Sequence, residues 1–194
     1  MNNIQIDCND IYLRTYESAD LDKIYNLTQE EVIKKYLPDW NVPKAQRQDW
    51  LNNYEIPENN EFLNAISVNG QVGDLRLRLG IILKETEEFI GWCCSGIKEE
   101  LDSPNREIMF AISNEHRNKG YTTQAVIGLT HFLFQYTDVN ELIALALTVN
   151  EPSNKVIRKS GFEFVQTIEI DDQMYHQYEI KNASSSLIDT KEEQ

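Results

Sequence analysis

Basic side chains are scarce in this sequence. Its 194 residues include 18 Lys and Arg against 32 Asp and Glu, which gives a formal net charge of -14 at pH 7. Because phosphate-rich polymers bind to basic surfaces, this balance argues against nucleic acid as a partner. A surface of this sign keeps a protein in solution and attracts cations such as amines.

Long apolar runs are also missing. No stretch approaches the roughly 20 apolar residues that a membrane-spanning helix needs. The first ten residues, MNNIQIDCND, contain neither the basic stretch nor the apolar stretch of a secretion signal. The sequence therefore predicts a soluble, cytoplasmic protein with no membrane partner.

Cysteine and histidine are few, with three of each. Cys93 and Cys94 are neighbours that would point to opposite faces of a strand, so we expect no disulfide between them and reduced thiols throughout. The sequence has no C-x-x-C pair and its histidines are far apart. No metal site is predicted.

Apolar residues make up 41% of the chain, enough for one domain with a proper core. Their periodicity predicts strands at 11–16, 76–84, 89–97, 106–112, 142–149, 162–170 and 174–180. Helices are predicted after a cap at Ser18, on both sides of a loop bracketed by Pro38 and Pro43, at 122–136 and at 151–159, while 61–68 is ambiguous. The result is a single-domain α/β fold with a mixed sheet, followed by a polar, unstructured tail at 182–194.

The stretch EHRNKGYTTQ (115–124) lies where the helix at 122–136 begins. A helix N-terminus offers unpaired N–H groups and the positive end of the helix dipole. Gly120 lets the backbone approach a ligand, and Arg117 and Lys119 add charge, which suits a phosphate or pyrophosphate. Lys119 precedes Gly120, so the Walker pattern is excluded, and G-x-G-x-x-G is absent. An ordinary basic helix cap would look the same.

The spacing Arg117-x-x-Gly120-x-Thr122 resembles the pyrophosphate loop R/Q-x-x-G-x-G/A of the GNAT acetyltransferase superfamily, with Thr122 departing at the last position. The segment VNEPSNKVIRKSGF (149–162) resembles N-x-x-S-x-x-V-L-x-K-x-G-F, found in the branch that acetylates ribosomal-protein N-termini (RimJ/RimL-like). REIMF (106–110) is similar to the A-E-L-G-Y strand of that branch, and KKYLPDW (34–40) lies where its members carry a similar helix and loop.

This resemblance implies a GNAT acyl-CoA N-acyltransferase domain at 1–181, with a mixed, mostly antiparallel sheet flanked by helices. The strands at 106–112 and 142–149 would splay so that the pantetheine of acetyl-CoA inserts between them, and no metal is required. The residues that the resemblance assigns to the CoA site are Ala111, Ile112, Arg117, Asn118, Lys119, Gly120, Tyr121, Thr122, Asn150 and Ser153.

The resemblance also suggests catalytic groups. Glu107 is the first candidate for the base, and His176 is the alternative because the usual pKa of histidine is near neutrality. Ser153 is the candidate to protonate or bind the departing thiolate, since Ile157 stands where many members have a tyrosine acid. Tyr36 and Trp40 are expected to line the acceptor site. The same pattern also fits residues without a catalytic role, with Glu107 as an ordinary exposed strand residue and His176 as a polar residue of an edge strand.

The leading hypothesis is direct transfer of acetyl from acetyl-CoA to a primary amine, with a protein or peptide N-terminus favoured as acceptor. A small amine such as a polyamine or aminoglycoside is the alternative acceptor. A non-catalytic CoA-binding regulator and a nucleotide-binding module are the other classes considered. The sequence allows a monomer or a homodimer.

Overall fold

A computed structural model describes residues 4–183, and the strands in this range form one mixed sheet. They are β1 (Gln5–Cys8), β2 (Ile11–Thr15), β3 (Leu77–Leu83), β4 (Glu88–Ile97), β5 (Arg106–Ile112), β6 (Glu141–Leu147), β7 (Glu163–Ile170) and β8 (Gln173–Lys181). Their order across the sheet is β1-β2-β3-β4-β5-β6-β8-β7. Every neighbouring pair is antiparallel except β5 and β6, which are parallel.

The helices flank this sheet. They are α1 (Leu21–Thr28), α2 (Glu31–Tyr36), α3 (Lys44–Trp50), α4 (Ile56–Val68), α5 (Tyr121–Tyr136) and α6 (Glu151–Lys159). A π-helical turn (Leu51–Glu55) joins α3 to α4, and a 3-10 turn (Pro38–Trp40) follows α2. The single-domain α/β fold with an open mixed sheet is confirmed. The predicted tail lies outside the described residues, except for Asn182 and Ala183.

Two apolar clusters cover the two faces of the sheet. On one face, side chains of the sheet pack against buried residues of α5 and α6, including Leu129 and Ile157. On the other face, they pack against α1 and α2, through Ile24 and Ile33. Because side chains alternate along a strand, β5 sends Ile108 and Ile112 to the first face, and Glu107 and Ala111 to the second, as predicted.

The centre of the sheet is open. β5 follows β4 along its whole length, from Ile97 opposite Arg106 to Gly91 opposite Ile112. By contrast, β5 and β6 are paired only at Glu107 and Ile143. The two strands therefore diverge toward their carboxyl ends, where α5 and α6 begin. This V-shaped opening between β5 and β6 confirms the predicted splay.

Some local predictions were wrong. β1 was not predicted, because four residues are too few for a periodic signal; it pairs with β2 through a turn at Asn9, whose φ is +60°. The ambiguous segment at 61–68 is the end of α4. Ser18 does not cap α1: its hydroxyl donates to Asn52 Oδ1, and a 3-10 turn closed by Glu17 and Asp20 precedes the helix.

Two side chains also differ in exposure from their predicted positions. Tyr136, which the helical spacing of the apolar residues in 122–136 places on the packed face of α5, is 49% exposed because it stands at the last turn of the helix. His116, which the polar stretch EHRNKG predicts at the surface, is only 8% exposed; its Nδ1 lies 2.8 Å from the Ser113 hydroxyl, which fixes the ring in the turn before α5.

Gly91 allows the close approach of β4 to β5. A Cβ atom at this position would lie 2.3 Å from the Ala111 carbonyl oxygen, which belongs to the backbone and cannot rotate away. Gly91→Ala should therefore lower the free energy of unfolding by about 2 kcal/mol. Denaturant unfolding measures this. Gly80→Ala is the control, because the atoms nearest to its Cβ belong to the Phe89 side chain and not to the backbone, and an equal loss in both variants would contradict the argument.

Candidate active site

The loop before α5 is shaped by two residues with left-handed backbone. Asn118 has φ +60°, and Gly120, which precedes the first residue of the helix, has φ +86°. The first backbone hydrogen bond of α5 is donated by the Gln124 amide to the Gly120 carbonyl oxygen, at 3.1 Å. The amides of the three preceding residues therefore point outward at the mouth of the V.

The groups at this loop are of the kind that bind a pyrophosphate. A Cβ at Gly120 would meet no atom within 4 Å, so the backbone faces an open space. Arg117 is half-buried, and Lys119 is exposed, beside the same amides. The side chain of Thr122 is buried, so its branched group packs inward and does not fill the loop. Amide donors, a helix dipole and two cations are the groups that bind a phosphate ester.

Within residues 4–183, no strand pairs with the edge of β5 beyond Glu107 on the side of the V. Ala111 and Ile112 are bonded in register to β4, whereas β6 pairs with β5 only at Glu107. The backbone groups of this edge are available to the amides of an extended ligand, as when a peptide adds a strand to a sheet. The predicted pantetheine residues therefore lie on the open edge, next to the loop.

The start of α6 forms the opposite side of the mouth. Asn150 caps this helix, and its Oδ1 accepts a hydrogen bond from the Ser153 amide at 3.4 Å. Ser153 is half-buried in the first turn. The structure thus brings Asn150 and Ser153 together across the V from Arg117 and Gly120, which are on the loop before α5.

Glu107 lies where the V closes and also lines a cavity on the face that carries α1 to α3. The cavity has a volume of about 470 Å³. Burial raises the pKa of Glu107 to about 7, although the charge of Lys98 opposes the shift. A carboxyl group with this pKa changes its protonation state near neutral pH, which is the property that a general base needs.

Aromatic side chains form one wall of the cavity. Trp40 stacks on the buried Trp92, with ring centroids 4.8 Å apart, and lines the cavity. Arg47 lies over Trp40 and Trp50, with its Cζ 5.9 Å and 5.4 Å from the ring centroids. Tyr36, the other predicted acceptor residue, contacts Lys35 and is not among the described residues that line the cavity.

His176 lies on the other face of the sheet from Glu107. His176 lies on β8 and pairs with Ala146 of β6, and its Nδ1 is 3.1 Å from Asn154 Oδ1 of α6. Its ring contacts Phe164 edge-on at 5.4 Å. The structure therefore does not bring the two candidate bases together, and only Glu107 faces the cavity.

Sequence reasoning missed several residues on the Glu107 face. Arg76 and Arg78 line the cavity. Tyr175, one position from His176, points to the opposite face; burial raises its pKa, and the charges of Glu107 and Asp39 add to the shift while that of Lys98 opposes it. The signal for Tyr175 was the alternation of β8, but reading it requires the register of β8 against β6.

The described residues show neither a metal site nor a membrane span. Residues 4–183 contain no group of three or more His, Cys, Asp or Glu side chains that could hold a metal ion. Within the same range, every helix is too short or too polar to cross a bilayer. Cys8, Cys93 and Cys94 are buried free thiols, as expected.

An open mixed sheet flanked by helices, with a helix N-terminus at the mouth of its V, is the arrangement of the GNAT class of acyl-CoA-dependent transferases. Residues 10–163 match the family described as "Acetyltransferase (GNAT) domain", and the chain belongs to this family. It is an acetyl-CoA-dependent N-acetyltransferase, and acetyl-CoA is its cosubstrate.

Three similar proteins illustrate the family. The chain is 27% identical over 154 residues, 78% of each protein, to the uncharacterized N-acetyltransferase p20 of Bacillus licheniformis. It shares its fold with RimL, a ribosomal L7/L12 alpha-N-protein acetyltransferase solved with coenzyme A (TM-score 0.72, 13% identity, 92% of this chain and 98% of that one). The chain also shares its fold with AAC(6')-Ib solved with ribostamycin and coenzyme A (TM-score 0.70, 18% identity, 95% of this chain and 99% of that one). At these identities, the two structures show the fold alone.

Proposed function

We propose that the chain transfers acetyl from acetyl-CoA directly to a primary amine that enters through the cavity, with Glu107 as the base. The observation that supports this most is the position of Glu107, which belongs both to the closed end of the V and to the cavity wall. A donor held in the V and an acceptor held in the cavity would therefore meet at this carboxylate.

Different residues carry out the different steps of the reaction. The loop from Arg117 to Thr122 binds the pyrophosphate, and the free edge of β5 at Ala111 and Ile112 orients the pantetheine and polarises the thioester carbonyl. Glu107 takes a proton from the amine, directly or through water. The amine nitrogen then bonds to the acetyl carbon, the carbon–sulfur bond breaks, and the nitrogen loses its second proton as the departing thiolate is protonated, through Ser153 or through solvent. His176 has no part in this scheme.

The charge of the cavity favours an acceptor with more than one positive charge. Its arginines are paired with acids: Arg47 with Glu55, Arg78 with Glu58 at 2.6 Å, and Arg76 with Glu99 at 3.6 Å. Three other lining carboxylates, Asp39, Asp49 and Glu107, form no ion pair within residues 4–183. The charge left uncompensated is negative, so we propose a small polycationic amine, such as a polyamine or aminoglycoside, as the acceptor.

A protein or peptide N-terminus is the second candidate. It is favoured by the resemblance of residues 149–162 to the RimJ/RimL-like signature and by the shared fold with RimL. A terminal amine brings only one positive charge to the cavity, unless the next side chains are basic. A peptide N-terminus therefore brings less positive charge to the cavity than a polyamine does.

A thiol-release assay with acetyl-CoA tests both candidates against one panel of acceptors. The panel contains a monoamine, a triamine, an aminoglycoside and peptides with neutral or basic second residues. We expect the highest kcat/KM with the triamine or the aminoglycoside. Turnover confined to peptides would favour the second candidate, and no thiol release with any amine would contradict direct transfer.

Asp39 and Asp49 should bind the charge of the acceptor that does not react. Because both are exposed, each should contribute only about 0.5–1 kcal/mol, so the double change Asp39→Asn, Asp49→Asn should raise the KM of the triamine by roughly 5- to 20-fold. The KM of the monoamine should stay the same. Glu61→Gln, which removes an exposed charge outside the cavity, is the control. Equal effects on both amines would contradict a second charged contact.

A further inference from the structure

The ladder between β4 and β5 leaves Glu107 without a side chain opposite it. The residue paired with Glu107 is Gly96. Lys98 follows Gly96 by two positions and therefore points to the same face of the sheet as Glu107. The ladder continues past the end of β4, because the Lys98 amide donates to the Asn105 carbonyl oxygen at 2.8 Å. Lys98 is thus the diagonal neighbour of Glu107, and Gly96, which lies directly opposite Glu107, has no side chain of its own.

The turn between β4 and β5 holds Lys98 in place. Asn105 Nδ2 donates to the carbonyl oxygens of Lys98, at 3.2 Å, and Leu101, at 3.1 Å. The ammonium is fixed as well, since Lys98 Nζ lies 2.8 Å from Glu100 Oε1. The Lys98 side chain is 26% exposed, so its charge is only partly screened by water.

Other charged groups around Glu107 are either engaged elsewhere or of the same sign. Arg76 crosses over Gly96, where an added Cβ would lie 2.8 Å from its Cγ, but its guanidinium is 3.6 Å from Glu99. Glu100 and Asp39 are acidic. Tyr175 faces the same space from β8. Burial lowers the pKa of Lys98, but the hydrogen bond to Glu100 and the charge of Glu107 raise it above its ordinary value.

We propose that Lys98 is a positioning residue for the transfer: its ammonium, anchored by Glu100, faces Glu107 across Gly96 and stabilises the charged carboxylate that accepts the proton of the amine. This rests on the proposed role of Glu107 as the base. Burial alone favours the protonated acid, which cannot accept a proton. Lys98 counteracts burial without touching either substrate.

The dependence of kcat/KM on pH tests this role. In Lys98→Met, the acidic limb of the profile should move to higher pH by roughly half a unit to one unit, because the carboxylate loses its stabilising charge. In Glu100→Gln, the limb should move to lower pH, because a charge that repels the Glu107 carboxylate is removed. Lys98→Arg should restore the wild-type profile.

A matched control is Lys84→Met, since Lys84 also follows a strand and its Nζ lies 2.8 Å from an acid, Asp7, far from the cavity. An acidic limb that stays in place in Lys98→Met, or moves equally in Lys84→Met, would overturn the inference. Should Lys98→Met fail to fold, Lys98→Gln, which keeps a polar side chain without the charge, gives the same test. Glu107→Gln separates the two proposals. Wild-type turnover in Glu107→Gln would contradict the role of Glu107 as the base. Lost turnover in Glu107→Gln, together with an unchanged pH profile in Lys98→Met, would contradict only the role of Lys98.

Discussion

Glu107→Gln should lower kcat at pH 7 by about two to three orders of magnitude, which is the usual contribution of a positioned general base. Glutamine has nearly the same shape but cannot accept a proton. Acetyl-CoA binding should not change, because the pyrophosphate loop and the open edge of β5 are untouched. Steady-state thiol release measures the first effect, and titration calorimetry with CoA measures the second.

The pH profile gives a second readout for this residue. The pKa of Glu107 is raised to about 7, and only the deprotonated form accepts a proton, so wild-type kcat/KM should rise as pH increases through about 7. The limb due to Glu107 should be missing in the Gln variant. Because burial disfavours the charged carboxylate, Glu107→Gln should be at least as stable as wild type at pH 8. Glu163→Gln, on the exposed edge strand β7, is the control, and a Glu107→Gln rate within twofold of wild type would refute the assignment.

Gly120→Ala should raise the KM for acetyl-CoA about 10- to 100-fold and leave kcat at saturating donor within severalfold of wild type. Two physical effects combine. A φ of +86° costs a residue with a Cβ roughly 1–2 kcal/mol, so the loop tends to leave this conformation. The added methyl group also occupies the open space where the pyrophosphate would approach the amides.

Gly73→Ala is a matched control for this substitution. Gly73 also has a positive φ, +48°, and its added Cβ would also meet nothing within 4 Å, but it lies in the turn before β3. Both variants should lose similar stability in thermal unfolding, whereas only Gly120→Ala should bind CoA more weakly in calorimetry. Unchanged affinity in Gly120→Ala would reject this loop as the pyrophosphate site.

Local patterns predicted much of the fold. The alternation in β5 placed Glu107 and Ala111 on one face, and the run from Leu142 reads as a buried strand because both of its faces are covered. Glycine, charge and a helix start marked the loop at Arg117 to Thr122. These features depend on neighbouring residues only, so the sequence contains them directly.

Other features depended on pairing between distant segments. The one-residue offset that places Tyr175, and not His176, on the Glu107 face follows from the register of β8 against β6. The position of Lys98 beside Glu107 follows from the register of β4 against β5. No local pattern in β8 or β4 could reveal either relation.

The sequence by itself therefore determined most of the strands and helices and marked the loop at Arg117 to Thr122, because periodicity, glycine and helix capping are local properties, while the resemblance to the GNAT motifs indicated the donor class. Only the tertiary structure decided which candidate base faces the cavity, which arginines are already neutralised by acids, and which lysine lies beside Glu107. Those outcomes depend on strand register and on ion pairs such as Arg47 with Glu55 and Arg78 with Glu58, which form only when separate segments pack together.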